Sequence, residues 1–381
     1  MRISGLDIFQ CDTPFTFGFH SSQTNRLKAD SIVIRLEFDN NISGYGESAP
    51  RPYVTGENNS TVIHIIKNIF SEILFLREIH SVKDIEMVLC ALENECNKQN
   101  ISAYNSALGS IDIALLDALG KSQHLSLCNF LGPIIRDTIP YSLSIPILPL
   151  QKIEELYHKL EGFAFTAIKV LMGTSESENI QRVGLIRSLL GDHVEIRIEV
   201  NGVWTIEQAI STIQKLKKYG IDAVEQPVTK HDIIGLQKVR RSCGIPVIVD
   251  ESMCNLSDAI NLIEMSACDI LNIKISKCGG LLRSRNIADF AQSKNFCCQL
   301  GAHVGETSIL SRAGECFAQT IPNLVYFEGR SFLLFENTGN VKSVKKSSGE
   351  ECFADTGPGI DLSNHTLTKV CSLYPKVRPS Q

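Results

Sequence analysis

The chain has 381 residues, too many for one ordinary domain of about 150 unless one unit is a barrel of about 250. Apolar residues make up 43% and charged residues 21%, a globular balance that excludes a disordered chain. With 37 basic against 42 acidic residues the net charge is −5, which argues against a general nucleic-acid binder, since such proteins need a clustered positive surface. Residues 1–10 lack the basic and apolar regions of a signal peptide. No run approaches about 18 uncharged apolar residues, so no membrane span is expected. The thirteen cysteines are scattered without a CxxC pair and read as free thiols of a reducing, cytoplasmic compartment.

In chain order, the first 40 residues read as strands, with Ser31–Phe38 alternating and Asp39-Asn-Asn41 as a turn. Gly44-Tyr-Gly-Glu47 and Pro50-Arg-Pro-Tyr-Val-Thr-Gly56 carry so much Gly and Pro that the stretch reads as a loop. Residues 60–97 read as helical, with Ile63, Ile66, Ile69 and Leu74 roughly on one face. A second helix is predicted over 103–120, striped by Ala107, Ile111, Ala114 and Leu115 and closed by Gly120. Strands followed by helices make an α+β unit.

From Thr138 short apolar strands alternate with helices. Strands are predicted at 139–145, 165–171, 194–200, 222–225, 246–250, 269–274, 297–301 and 324–328, with helices between them, for instance 178–190 and 205–218. Eight such units mean a βα barrel or a doubly wound sheet. No glycine-rich dinucleotide fingerprint follows an early strand, which weakens the second option.

The strand ends are acidic. Val194-Glu-Ile-Arg-Ile-Glu199 has period two, so Glu199 faces the barrel interior when the apolar set faces the helices. The next strands end at Glu225, Asp250 and Lys274, at spacings of 26, 25 and 24 residues. Three consecutive βα units thus bring one carboxylate each to the same rim, and a fourth brings an amine. Three convergent carboxylates cannot stay ionised together without a cation. An all-oxygen site suits Mg²⁺.

These stretches carry a resemblance. Ala-Ile-Lys-Val-Leu-Met-Gly173, Arg-Ile-Glu-Val-Asn201, Glu225-Gln-Pro, Asp250-Glu-Ser and Asn272-Ile-Lys-Ile-Ser-Lys-Cys-Gly-Gly280 resemble the enolase superfamily, and within it the muconate-lactonizing and dipeptide epimerase subgroup. Gly-Tyr-Gly-Glu47 and Ala114-Leu-Leu-Asp-Ala-Leu-Gly-Lys121 resemble that family's capping domain, as Gly305-Glu306-Thr-Ser and Gly357-Pro-Gly-Ile-Asp-Leu resemble its later motifs. The resemblance implies a Mg²⁺-bound carboxylate substrate, a base that removes the proton α to that carboxylate, and an enediolate stabilised by the metal. It implies Glu199, Glu225 and Asp250 as metal ligands and Lys274 as base. It also implies that an early loop containing His20 and the loop around Tyr53 close over the substrate, with Glu306 beside it; His303 falls on the same rim by its position just past strand seven.

Two positions depart from the family. Glu199 stands where the family usually has aspartate, one methylene shorter. Strand two of the family carries Lys-x-Lys; here Lys169 is the first, and Leu171 occupies the second. Period two turns both inward, so an apolar group replaces an amine. Lys274 and Lys169 are the candidate catalytic lysines, with Lys274 the full base. His303 is a candidate substitute acid or base, and Lys277 reads equally well as a charge on the barrel rim.

The expected architecture is an α/β, TIM-like (β/α) barrel over 131–335 with an N-terminal α+β capping domain over 1–130 and a return segment, 336–381, on the cap. The expected function is a Mg²⁺-dependent carbon-acid enzyme acting on a small-molecule carboxylate, an isomerase (cycloisomerase, racemase or epimerase) and a homo-oligomer. Leu171 keeps two alternatives open: a one-base lyase or dehydratase run by Lys274, and a carboxylate binder without turnover.

Overall fold

Strand β1 (Ile3–Cys11) is the hub of the first sheet: β4 (Ser31–Phe38) pairs with it on one side and, from the far end of the chain, β14 (Leu367–Leu373) on the other. The sheet order is β14-β1-β4-β5, all antiparallel. A separate hairpin, β2 (Pro14–His20) and β3 (Asn25–Lys28), projects from the β1–β4 connection. The computed structural model describes residues 1–159, 166–329 and 366–375. The Gly357-Pro-Gly359 motif and most of the expected return segment lie outside them.

The stretch read as a loop begins as a strand. Ser43–Ser48 forms β5, and the glycines have a packing reason. A Cβ at Gly44 or Gly46 would run into the carbonyl oxygens of Ala114 and Ser110 on the helix that crosses the sheet. Glycine content alone cannot distinguish a loop from a strand under close backbone approach.

The predicted 60–97 helix is interrupted. Helix α1 (Asn59–Ile65) passes through a π turn at Ile66–Phe70 into α2 (Ser71–Leu74), and α3 (Val82–Lys98) begins afresh. Between them the chain turns to meet the N-terminus, where Ile79 N–H donates to the Met1 carbonyl at 2.9 Å. Ser81 then caps α3, its side chain accepting from Asp84 N–H while the Asp84 carboxylate returns the bond, a signal hidden inside the apolar periodicity. Helix α4 (Asn105–Gln123) is buried on all sides from Ser106 to Gly120, between this sheet and the barrel; the short α5 (Cys128–Leu131) follows it.

The barrel then runs β6 (Leu143–Ile145), α6 (Leu150–Lys159), β7 (Ala167–Leu171), α7 (Glu176–Leu190), β8 (Glu195–Glu199), α8 (Ile206–Leu216), β9 (Ile221–Glu225) and α9 (Ile233–Cys243). It continues with β10 (Val247–Val249), α10 (Leu256–Glu264), β11 (Ile270–Ile273), α11 (Leu281–Ser293), β12 (Cys297–Leu300), α12 (Ser308–Thr320) and β13 (Leu324–Phe327). All eight strands are parallel, each beside its neighbour in sequence. Ser142 N–H donates to the Phe327 carbonyl at 2.8 Å and joins the first strand to the last. The architecture is the expected α/β barrel with a capping unit.

Alternation sorts each strand. Ile168, Val170, Ile196, Ile198, Val224 and Val249 bury apolar surface toward the helices, about 1.5–3 kcal/mol each. The inward set is layered. Ala223, Ile248 and Ile270 with Cys297 and Tyr326 make a small apolar plug at the N-terminal end of the barrel. Above it come buried polar groups: Lys169, Arg197, Glu225, Asn272, Gln299 and Glu328. Arg197 joins the two layers, its guanidinium 4.2 Å from the Tyr326 ring centre and its Nη1 donating to Gln299 and Glu328.

The capping unit is fastened through two carboxylates at barrel helix N-termini, where amide donors have no helical partner. Glu47 accepts from Thr307 N–H at 2.9 Å and Leu310 N–H at 3.2 Å at the head of α12. Asp112 accepts from Leu281 and Leu282 N–H at the head of α11.

Candidate functional site at the barrel mouth

The top inward layer holds the chemistry. Glu199 ends β8, and Asp250 and Glu251 follow β10 at once. One carboxylate oxygen from each of the three lies within 4.8 Å of the others, and all three side chains are buried. Among the described residues this is the one such group. Strand β10 stops at Val249, so alternation no longer separates the next two residues, and both turn to the mouth. Asn201 adopts a left-handed conformation (φ 53°), and its Nδ2 donates to Glu199 Oε1 at 2.8 Å and Glu251 Oε1 at 3.3 Å. Gln226 is also left-handed (φ 39°), and its Oε1 accepts from Asp250 N–H at 2.9 Å and Ser252 N–H at 3.2 Å. Residues held in this uncommon region gather at functional sites.

Two lysines hold Asp250. Lys274 Nζ donates to Oδ2 at 2.5 Å. Lys277 Nζ donates to Oδ1 at 2.8 Å, to the Asp250 carbonyl at 2.7 Å and to the Asn272 carbonyl at 2.8 Å. Lys277 is therefore no rim charge: it is fully buried and all three of its protons are committed. Burial pushes the Asp250 carboxyl up, but the two ammoniums outweigh it and hold the group far below the usual range. Burial would lower the Lys274 and Lys277 amines, yet Asp250 raises both.

On the opposite side Lys169 Nζ donates to Glu199 Oε2 and Glu328 Oε2 at 2.8 Å each and to Glu225 Oε2 at 3.3 Å. Burial opposes its charge, but these three carboxylates hold it well above its ordinary value. Above it Leu171, only 4% exposed, sits level with Glu199 in the β7–β8 register. Glu225 lies against Glu199, with Oε1 accepting from Asn272 Nδ2 at 2.6 Å and Oε2 from Gln299 Nε2 at 3.0 Å. Burial pushes Glu225 up, and Lys169 leads the groups that bring it below its usual value. Glu199 and Glu251 go the other way. Burial and the Glu225 charge raise Glu199 well above the carboxylate range, and burial and Asp250 push Glu251 up to about 7. Carboxylates whose anionic form is this disfavoured are a place for a cation.

The remaining expected residues lie along the rim. His303 Nδ1 bonds to the Ala49 carbonyl at 2.8 Å, which assigns the proton to Nδ1; its buried Nε2 has no partner. Burial and the nearby Lys274 charge hold the imidazole well below its usual pKa. Glu306 Oε1 accepts from His303 N–H at 2.6 Å, and burial pushes its carboxyl up to about 8. The β2–β3 hairpin reaches the mouth: Gln23 Nε2 donates to the Asn201 carbonyl at 2.8 Å, and Ile147 N–H donates to the His20 carbonyl at 3.0 Å. The His20 side chain itself is exposed. Tyr53 is half-buried, and its carbonyl accepts from Lys230 Nζ at 3.1 Å. Among the described contacts, neither His20 nor Tyr53 bonds through its side chain to the carboxylate–lysine cluster.

The sequence reading missed Glu251, Asn201, Glu328 and the burial of Lys277. Glu328 had a visible signal, since it closes the eighth predicted strand as Glu225 closes the fourth.

Two family descriptions match the chain in tandem. The mandelate racemase / muconate lactonizing enzyme N-terminal domain matches residues 5–132, and the enolase C-terminal domain-like family matches residues 152–361. The chain belongs to the mandelate racemase / muconate lactonizing enzyme family of the enolase superfamily. Within this family it is similar to a hydrophobic dipeptide epimerase of Enterococcus faecalis, 30% identical over 301 residues that cover 78% of this chain and 81% of that one. Its fold is similar to N-succinyl Arg/Lys racemase from Bacillus cereus, with a TM-score of 0.83 at 26% identity, covering 88% of this chain and 89% of that one. It is also similar to a dipeptide epimerase from Enterococcus faecalis complexed with Mg and the dipeptide L-Leu-L-Tyr, with a TM-score of 0.82 at 26% identity, covering 88% and 92% of the two chains. Among the described residues no helix is long and apolar enough to cross a membrane, and every cysteine is a free thiol.

Proposed function

We propose that this protein is a Mg²⁺-dependent carbon-acid enzyme of the isomerase type, which removes the proton α to the carboxylate of a small substrate with Lys274 as base. One observation carries the reading: the Lys274 ammonium lies 2.5 Å from Asp250, a member of the buried three-carboxylate group. A base and a cation site that share one carboxylate hold a substrate's carboxylate and its α-carbon within reach of both. The donors suit Mg²⁺: all are carboxylate oxygens, and one of them, Glu251 Oε2, is buried without a partner. When bound, the ion supplies positive charge where negative charge develops on the substrate carboxylate.

The chain's own residues do the rest. Lys274 accepts the proton at Nζ only as the neutral amine, so the strong pull of Asp250 has to be shared with a second cation before the amine is free. Lys277, pinned on the other oxygen of Asp250, stays charged and keeps that carboxylate oriented. Lys169, under three carboxylates, is a positioning residue that balances charge. His303 and Glu306 orient the substrate from the wall that carries Lys274. The β2–β3 hairpin covers the mouth and excludes water. Relatives that act on dipeptides and N-succinyl amino acids support an acylated or peptidyl α-amino acid as the substrate class. The free thiols of the described residues support a reducing, cytoplasmic setting. Leu171 favours a second reading, in which Lys274 alone runs an elimination.

The test is α-proton exchange in D₂O followed by NMR, with L-Leu-L-Tyr and N-succinyl-L-arginine as probes. Exchange that requires Mg²⁺ and is lost in Asp250→Asn is expected. Exchange that survives both metal removal and Asp250→Asn would overturn the reading.

A further inference from the structure

We propose that Cys128 and Cys316 form a redox pair: a peroxide oxidises Cys128, and Cys316 resolves it to a disulfide that ties the end of the capping unit to barrel helix α12. The proposal is independent of the reaction at the mouth.

Placement comes first. Cys128 opens α5, the last helix before the barrel, and falls in the stretch that matches the N-terminal family domain, residues 5–132. Cys316 lies within α12, among residues that match the C-terminal one. Both are buried, at 1% and 2% exposure. Helix α5 packs on α12. Cys128 Sγ donates to Gln319 Oε1 at 3.5 Å, and Gln319 follows Cys316 by one turn on the same face of α12. Two thiols from parts far apart in sequence thus meet across one helix contact. The chain just beyond is pinned to the end of α12: Ile135 N–H donates to the Gln319 carbonyl at 2.9 Å, and Arg136 Nη1 donates to the Ile321 carbonyl at 2.6 Å.

The two sulfurs are unequal. Hydrogen bonding from the Cys316 thiol holds the Cys128 thiol below its ordinary value against burial, with Ser126 and the Arg312 charge in support. Cys316 goes the other way, held well above its ordinary value by Cys128 and by burial. Every other described cysteine with a shifted thiol is also raised. The thiolate is the form that attacks a peroxide, and a sensing cysteine needs a resolving one beside it. Access comes through α5. It has four residues, no side-chain cap at its start and Gly132 at its end, and the chain from 132 to 142 is neither helix nor strand. A short element held in this way opens locally at far less cost than the barrel.

The step balances. The Cys128 thiolate attacks one oxygen of hydrogen peroxide, the O–O bond breaks, and the leaving hydroxide takes up a proton to become water. The Cys316 sulfur then attacks the Cys128 sulfenic acid: the S–S bond forms, the S–O bond breaks, and the departing hydroxide takes the Cys316 proton as a second water. The two thiols lose two electrons, and the peroxide is reduced to two waters. A small thiol reverses the change by exchange. A reducing compartment therefore keeps the pair open, and a peroxide closes it transiently.

The test treats the full chain with a small excess of hydrogen peroxide, digests it without reductant and maps it by mass spectrometry. The first cross-link expected joins Cys128 to Cys316. Because the bridge closes a long loop and restricts the unfolded chain, the melting temperature should rise by about 5 °C and fall back with dithiothreitol. Cys316→Ser should leave Cys128 as a sulfenic acid that dimedone labels, and Cys128→Ser should show neither cross-link nor melting shift. If a serine variant fails to fold, the map of the unaltered chain decides alone. A first cross-link between any other cysteines, or a Cys128 that stays unoxidised, would overturn the pair. A Cys316→Ser chain that dimedone does not label at Cys128 would overturn Cys128 as the attacked thiol. A Cys128–Cys316 bridge that leaves melting unchanged or lowers it would overturn the tie.

Discussion

On the β11 side of the barrel mouth, an ammonium faces one carboxylate of the acidic group, and a second, fully buried ammonium holds that carboxylate from behind. On the β7 side the lysine lies one layer lower, under Glu199, Glu225 and Glu328, and a leucine takes the position above it. Both sides present a lysine from a strand of the same barrel, but the surroundings differ. Lys274 has a single anionic partner, which a cation can share. Lys169 has three, and it links strands β7, β8, β9 and the end of β13. Against the cost of burial, both lysines are held in the charged form, Lys274 chiefly by Asp250 and Lys169 by three carboxylates together. On the proposed reading, the groups that would move or steer a proton, Lys274, His303 and Glu306, stand on one side.

This asymmetry can be broken in graded ways. The largest effect is expected from Lys274→Ala, which should reduce α-proton exchange by about 10²–10⁴-fold with the fold preserved; unaltered exchange would remove Lys274 from the chemistry. Next comes Lys169→Met. It strands three buried carboxylates, so urea denaturation should report a loss of about 3–5 kcal/mol. A stability within error of the unaltered chain would mean that Lys169 is not the structural half of the pair. Leu171→Lys should place a proton carrier on the second side and raise the rate of inversion at the α-carbon, followed by chiral chromatography. An inversion rate that Leu171→Lys leaves unchanged would show that the two sides do not differ through the residue at this position. The smallest effect is expected from trimming residues 16–22. The carboxylates and lysines remain, so KM should rise a few-fold while melting of the barrel is unchanged; an unchanged KM would remove the hairpin from substrate binding.

Much of this was legible before the fold was known. The 26-, 25- and 24-residue spacing between strand-end acids and Lys274 reflects one βα repeat, and each repeat delivers its last inward side chain to one rim. Leu171 was legible for the same reason, because period two assigns a side from two positions. Glu251 was not. Alternation assigns it the opposite side from Asp250, and only the early end of β10 at Val249 cancels that rule. The loop reading of Gly44 and Gly46 failed for a related reason, since the helix crossing β5 comes from more than 60 residues away.

The sequence by itself determined the repeat, the inward and outward faces of the strands and the residue types at the mouth, because these follow from periodicities of two and about 25 along the chain. Tertiary structure alone decided which donors each carboxylate of the mouth meets. Among the described contacts the same anionic group meets different donors: Glu225 meets Asn272, Gln299 and Lys169, while Glu251 meets Asn201 and keeps an oxygen without a partner. Those donors come from strands far apart in sequence. In a buried site the free energy of a charge depends on its few nearest groups, and no local pattern encodes them.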